Sequence, residues 1–303
     1  MTGESRARLK ALFAVVAWGG SFPAIKAALA EVSFTTLIWL RFGSGVVTLL
    51  LLLLFRKRAR FLPLRDAALF AALGFLGIFF HNTIQAYALK SVSAGMSGLI
   101  IAANPIAIAA LGALILGERL DGKTTGGIML AAVGVLVILS KGDPGTLFLK
   151  GFNAGELIMI FSVFTWGLFT VLSRRALRRT PPDLGMTYAL SFGWFFSAIP
   201  FYFGGGPAEL PGISAVAWTN ILFLGVLCSA ISYLFWYDAL LVLPASEAGV
   251  FLYINPVVAV ILSAAFLGEA ITFSMVCGGA LVFAGVWFVN ARQKRPQQRE
   301  NKT

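Results

Sequence analysis

Residues 88–118, ALKSVSAGMSGLIIAANPIAIAALGALILGE, and residues 239–269, ALLVLPASEAGVFLYINPVVAVILSAAFLGE, align without a gap, and their correspondence decides the fold. Eleven of the 31 paired positions are identical, among them Ala94/Ala245, Gly98/Gly249, Asn104-Pro105/Asn255-Pro256 and Leu116-Gly117-Glu118/Leu267-Gly268-Glu269. Apolar residues match by chance in any two hydrophobic stretches, but Asn-Pro and Gly-Glu rarely do so at a single spacing of 151 residues. The same spacing carries Gly127 and Gly134-Val135 onto Gly278 and Gly285-Val286. Trp18-Gly19 meets Trp166-Gly167 at 148, a three-residue difference in loop length. A fixed long-range period of this kind marks a duplicated structural unit.

The solvent around the duplicated unit is lipid. Of 303 residues 58% are hydrophobic and 12% charged, and the mean hydropathy is +0.86, outside the soluble range. The 32 Gly, 27 Phe and seven Trp fit close helix packing and interfacial or cavity-lining aromatics. A span needs about 20 mostly apolar residues. That window gives ten, near 9–30, 34–55, 66–89, 94–116, 122–140, 153–174, 184–203, 215–240, 246–267 and 271–290. The basic N-terminus leads into a full-length apolar run without a small-residue cleavage site, which reads as a first helix and not a signal peptide.

The net charge of +11 sits in short clusters between apolar runs, a topology signal and not a nucleic-acid surface. Nineteen of the 24 Lys and Arg fall on the side of the N-terminus, three fall in the opposite loops (Lys90, Lys141, Lys150), and Lys26 and Arg41 lie within spans. By the positive-inside rule both termini are cytoplasmic. Each repeat then holds five spans, an odd number, so the second half is inverted. The expected fold is all-α, residues 1–140 forming one five-helix repeat, 153–290 its inverted partner and 291–303 a basic cytoplasmic tail. Inverted halves give a carrier inward- and outward-open states around a site between them.

The chain resembles the drug/metabolite transporter superfamily, EamA type, and within it bacterial amino-acid and metabolite exporters. The resemblance rests on WGGSF in the first span, Arg41-Phe42 in the second, the NP-to-LGE stretch in both halves and WGLF in the sixth span. It implies a basket-like bundle in the bacterial inner membrane, a central cavity and alternating access without nucleotide hydrolysis.

Polar or aromatic residues at mid-bilayer depth are the candidate site, because an unsatisfied polar group in hydrocarbon costs several kcal/mol. Asn104 and Asn255 lie about ten residues from the ends of their spans, each before a proline (Pro105, Pro256) that frees a carbonyl one turn earlier. They read either as substrate contacts or as caps on a kink. Trp18 and Trp166 lie too deep for an interfacial belt and read as cavity walls or core, with Ser21 one turn beyond Trp18. His81 and Gln85 share a helix face and correspond to Ser232 and Trp236 in the other half; Tyr253 joins the aromatic wall. Arg41 reads either as a structural cation needing a carboxylate or carbonyl partner, or as a binder of substrate carboxylate.

Lys26, Arg41, Asp238 and Glu247 are expected near outer helix ends, Glu247 also as a helix cap. Glu118 and Glu269 are expected at cytoplasmic ends as caps or conformational contacts. Gly127, Gly134, Gly278 and Gly285 fit close helix contact or, at most, part of a dimer surface, for a monomer or weak dimer. Cys228 and Cys277 sit in apolar runs and support no disulfide or metal site, and no cofactor is expected. One His without a sequence-adjacent acid argues against an intramembrane enzyme, and polar residues confined to one depth argue against a passive channel. The expected activity is export of amino acids, aromatic or large neutral, and related small metabolites; the alternative is efflux of lipophilic drugs or other metabolites.

Overall fold

The computed structural model describes residues 3–116, 122–141, 143, 152–177, 180–240, 242–243, 251–252 and 254–290, which form helices and the turns between them with no strand among them. The first part of the chain runs through α1 (Gly3–Ala28), α2 (Phe34–Phe55), α3 (Leu64–Ala88), α4 (Ala94–Ile101, continuing after a break as Asn104–Leu116) and α5 (Gly122–Leu139). The second runs through α6 (Ala154–Leu177), α7 (Pro182–Phe203), α8 (Ala215–Ala239), α9 (Ile254–Leu267) and α10 (Phe273–Asn290). Among the described residues, α1 to α4 and α6 to α8 contain seven stretches long and apolar enough to cross a membrane, and shorter apolar helices lie within α5, α9 and α10.

Hydroxyl and amide side chains start these helices by accepting from backbone N–H groups that lack an intrahelical partner. Ser33 Oγ accepts from Thr36 N, Ser93 Oγ from Met96 N and Ser214 Oγ from Ala217 N. Asn153 and Glu156 exchange side chain to backbone bonds of 2.9 and 3.0 Å at the start of α6, a reciprocal capping box. Large apolar side chains such as Leu54, Leu114, Phe195, Ile199 and Phe266 face outward, as lipid-facing positions do.

The main helix pairings join the first part of the chain to the second: α5 with α10, α1 with α8 and α9, α2 with α7 and α8, α3 with α6 and α7, and α4 with α6 and α9. Glycine makes the closest of these possible. A Cβ on Gly134 would stand 2.7 Å from the Gly278 carbonyl oxygen, and one on Gly278 would stand 2.6 Å from the Gly134 carbonyl oxygen. A Cβ on Gly285 would meet the Gly127 carbonyl oxygen at 2.5 Å. These four glycines therefore face one another across α5 and α10 inside the chain, which removes them from any dimer surface. Further pairs keep the 148- and 151-residue spacings: Gly74 packs on Ala189 and Gly193, and Gly225 packs on Arg41 and Gly45.

Two placements correct the sequence reading. Asp238 lies at the end where α1 begins, the end expected to be cytoplasmic: its carboxylate takes Lys10 Nζ at 2.6 Å. Glu269 is not at the end where α1 begins. Its carboxylate accepts from Ala94 N and Gly95 N at the start of α4, 2.8 and 2.9 Å away, at the end where α1 finishes and Lys26 Nζ donates to Val92 O. Asp238 and Glu269 therefore lie at different ends of the bundle. Glu118, Glu247, Tyr253 and the tail 291–303 lie outside the described residues.

Candidate functional site

Two helices lose the α-helical register at matching positions. In α3 a π-helical stretch spans Gly74–Phe80, and in α8 another spans Phe223–Ile231. They close alike: the His81 N–H donates to Leu76 O and the Ser232 N–H to Leu227 O, each five residues back, and the two pairs are 151 apart. A π-helical turn widens the helix and leaves carbonyls for side chains to satisfy. In α3, Asn82 Nδ2 donates to Gly77 O and Ile78 O, both at 3.0 Å. In α8 the position of Asn82 is held by Tyr233, and Cys228 O, the counterpart of Gly77 O, accepts instead from the Trp18 indole at 2.9 Å. Ser232 Oγ also returns to Leu227 O at 2.7 Å.

Around these turns the aromatic candidates converge. The Trp18 ring lies 5.5 Å from Tyr233 and 5.6 Å from Trp236, and the Trp166 ring lies 6.1 Å from Tyr233 and 5.2 Å from the His81 imidazole. Tyr233 thus joins a Trp from α1 to its counterpart in α6. The neighbouring glycines bring the helices together: a Cβ on Gly19 would meet Asn255 O at 2.6 Å, and one on Gly167 would meet Ala107 at 3.0 Å.

The polar groups divide into committed and uncommitted. His81 Nδ1 shares a 2.8 Å hydrogen bond with Thr165 Oγ1, which itself donates to Ser162 O. Ser21 Oγ donates to Trp18 O on its own helix at 2.6 Å, so its hydroxyl proton is already used. Gln85 is buried beside His81 on α3. The break in α4 falls at Ala102 and Ala103, immediately before Asn104-Pro105, where the proline cannot donate. Among the described residues, Asn104 Oδ1 and Asn255 Oδ1 are buried without a hydrogen-bond partner.

Arg41 differs from what the sequence led us to expect. Its side chain is buried, its Nε donates to Ser229 Oγ at 2.9 Å, and its guanidinium lies over the Phe42 ring at 5.0 Å. Among the described residues no carboxylate or carbonyl pairs with it; its partner is a hydroxyl 188 positions away, within the π-helical stretch of α8. Ser229 follows Cys228, whose carbonyl holds the Trp18 indole, so the Arg41 side chain ends one residue from that contact. Thr165, Ser229 and Tyr233 were not singled out by sequence; Tyr233 stands opposite Asn82 in the 151-residue correspondence, a signal that was available.

Comparison with known proteins places this arrangement. The EamA-like transporter family matches residues 6–140 and again 153–291. The chain belongs to that family. Its two matched segments cover nearly the whole sequence and run along α1 to α5 and along α6 to α10. The uncharacterized transporter YyaM of Bacillus subtilis is 31% identical over 247 residues, 81% of each chain. An uncharacterized transporter of Archaeoglobus fulgidus is 29% identical over 291 residues, 96% of this chain and 99% of that one. A Streptantibioticus cattleyicolor protein named "Probable terminal-alkyne amino-acid exporter" is 28% identical over 295 residues, 95% of this chain and 94% of that one. A solved structure superposes with a TM-score of 0.68 at 20% identity, covering 95% of this chain and 98% of the other, a likeness of fold. The chain is a multi-pass membrane transporter, and transport implies a small-molecule substrate.

Proposed function

We propose that this transporter is a secondary carrier built from two inverted five-helix halves, residues 1–140 and 153–290, that exports amino acids and related small metabolites by alternating access. The observation that carries the reading is the meeting of Trp18 and Trp166, 148 residues apart, on the one ring of Tyr233, with His81 against Trp166 and Arg41 bonded to Ser229, the residue after the Cys228 that holds the Trp18 indole. Edge-on and tilted rings favour a flat or bulky apolar side chain, and the adjacent hydroxyl, imidazole and guanidinium groups suit a polar backbone. The exporter name of one relative agrees with this substrate class. The matched glycine contacts and matched π-helical turns support the inverted arrangement, and the basic loops support an inner-membrane protein with both termini in the cytoplasm.

Efflux of lipophilic cations is the weaker reading, because Asp238, a carboxylate it would use, is already paired with Lys10. The test is flux. Protein reconstituted in liposomes should release labelled phenylalanine, tryptophan or leucine faster than empty vesicles; release at the empty-vesicle rate for every amino acid overturns the proposal.

A further inference from the structure

Arg41 is 5% exposed and spends one of its N–H donors on Ser229. A guanidinium carries five such donors in a planar fork and stays charged, so the terminal amino groups keep four. A buried cation without a counter-charge is strongly destabilising. None of the ion pairs among the described residues involves Arg41: these join Arg8 to Glu4, Lys10 to Asp238, Arg56 and Arg58 to Asp183, and Lys141 to Glu156. The Phe42 ring face offers only a quadrupole.

The two halves treat this position differently. The counterpart of Arg41 is Ala189, whose backbone packs on Gly74 as that of Arg41 packs on Gly225. The helix contact is the same with or without a charged side chain, so packing does not explain the guanidinium. Ser229, which orients it, corresponds to Ile78, so the hydrogen-bonded pair belongs to one half alone. Ser229 follows Cys228, whose carbonyl accepts from the Trp18 indole, and Trp18 packs on Tyr233, so the pair adjoins this aromatic group.

We infer that Arg41, oriented by Ser229, is the receptor for the carboxylate of the transported molecule, whose side chain lies against Trp18, Tyr233 and Trp166. The fork of the guanidinium matches the two oxygens of a carboxylate. The carboxylate completes the charge balance that the protein leaves open, and a substrate without it leaves the cation unpaired. This rests on the proposed transport function and adds the group by which substrate is selected.

The experiment compares four probes of one size in proteoliposomes and in thermal unfolding of the purified wild-type protein: phenylalanine, phenylalaninamide, phenethylamine and 3-phenylpropionate. The inference expects the two carboxylates to be transported and to raise the unfolding temperature, and the amide and amine to fall at least tenfold behind in apparent affinity. Transport of 3-phenylpropionate without phenylalanine would retain the inference and overturn the amino-acid reading. Equal handling of phenylalanine and its amide would overturn the inference and leave the transport reading standing, and stabilisation by chloride matching that by carboxylates would overturn it as well. R41Q should lose the preference for carboxylate over amide. S229A, which leaves the charge in place, should raise the KM for phenylalanine severalfold with little change in the maximal rate. If R41Q does not fold, the wild-type and S229A measurements decide.

Discussion

The Glu269 carboxylate is a sensitive point at which to perturb the bundle. It accepts from Ala94 N and Gly95 N, while Ser93 Oγ accepts from Met96 N, so the first three N–H groups of α4 are served by two side chains, one of them 175 residues away. Hydrogen bonds to a charged group are each worth about 1.5–3 kcal/mol net. A carboxylate at a helix N-terminus adds about 0.3–1 kcal/mol. The two bonds sum to about 3–6 kcal/mol; Glu269 is partly exposed, and solvent screening brings the expected loss in E269A to about 2–4 kcal/mol. E269Q keeps one acceptor oxygen and loses the charge, so its loss should be about half as large. The assay is equilibrium unfolding in mixed micelles titrated with dodecyl sulfate, followed by circular dichroism. S93A provides the scale for an ordinary cap, about 1 kcal/mol. E269A unfolding within 0.5 kcal/mol of wild type, or E269Q as unstable as E269A, would refute the reasoning, on the principle that a surface charge pair often contributes little.

Three other outcomes are expected. G134A and G278A, whose new Cβ would stand 2.7 and 2.6 Å from carbonyl oxygens of the facing helix, should destabilise by well over 1 kcal/mol in the same titration, whereas G126A, with nothing within 4 Å, should be neutral or gain up to about 1 kcal/mol from helix propensity. W18F keeps a ring but leaves Cys228 O unsatisfied; it should cost about 1–3 kcal/mol and slow amino-acid flux, and unchanged stability would show that the indole bond does not hold the α8 turn. His81 is bonded to the Thr165 hydroxyl and to no acid, so H81Q should keep most transport, and exchange of amino acid across vesicles should continue at the same rate when an ionophore collapses the proton gradient; strong inhibition would assign His81 a proton-carrying part.

The extent to which the site was legible in the sequence follows from what kind of information each feature uses. The duplicated Asn-Pro, Trp-Gly and Gly-Val pairs are matters of residue identity, so the repeat and the glycines of α5 and α10 could be read directly. Hydropathy likewise marked the apolar runs that become helices. The π-helical turns could not be read this way, because GFLGIFF and FLGVLCSAI are ordinary apolar sequence and the change lies in which carbonyl each N–H selects. Arg41 was assigned a carboxylate or carbonyl partner on general electrostatic grounds, while its actual partner is the Ser229 hydroxyl, which depends on how α2 crosses α8. Asp238 and Glu269 were placed at the wrong ends because which end of the bundle a charge reaches depends on its partner in another helix, Lys10 in one case and the start of α4 in the other. The tight α1 to α9 contact at Gly19 and Asn255 likewise joins segments more than 200 residues apart, beyond any local pattern.

The two π-helical turns have different dependencies, and this bears on how the protein is made. The turn in α3 is satisfied by Asn82, a few residues along the same helix, so it can form as soon as that segment enters the bilayer. The turn in α8 is served in part by its own Ser232 and in part by Trp18, on a helix that leaves the ribosome earlier. Synthesis proceeds from the N-terminus, so the donor is already in the membrane when its acceptor emerges. The α8 turn is thus completed by a residue made earlier, and a ribosome product beginning at residue 153 would lack the indole that Cys228 O accepts from.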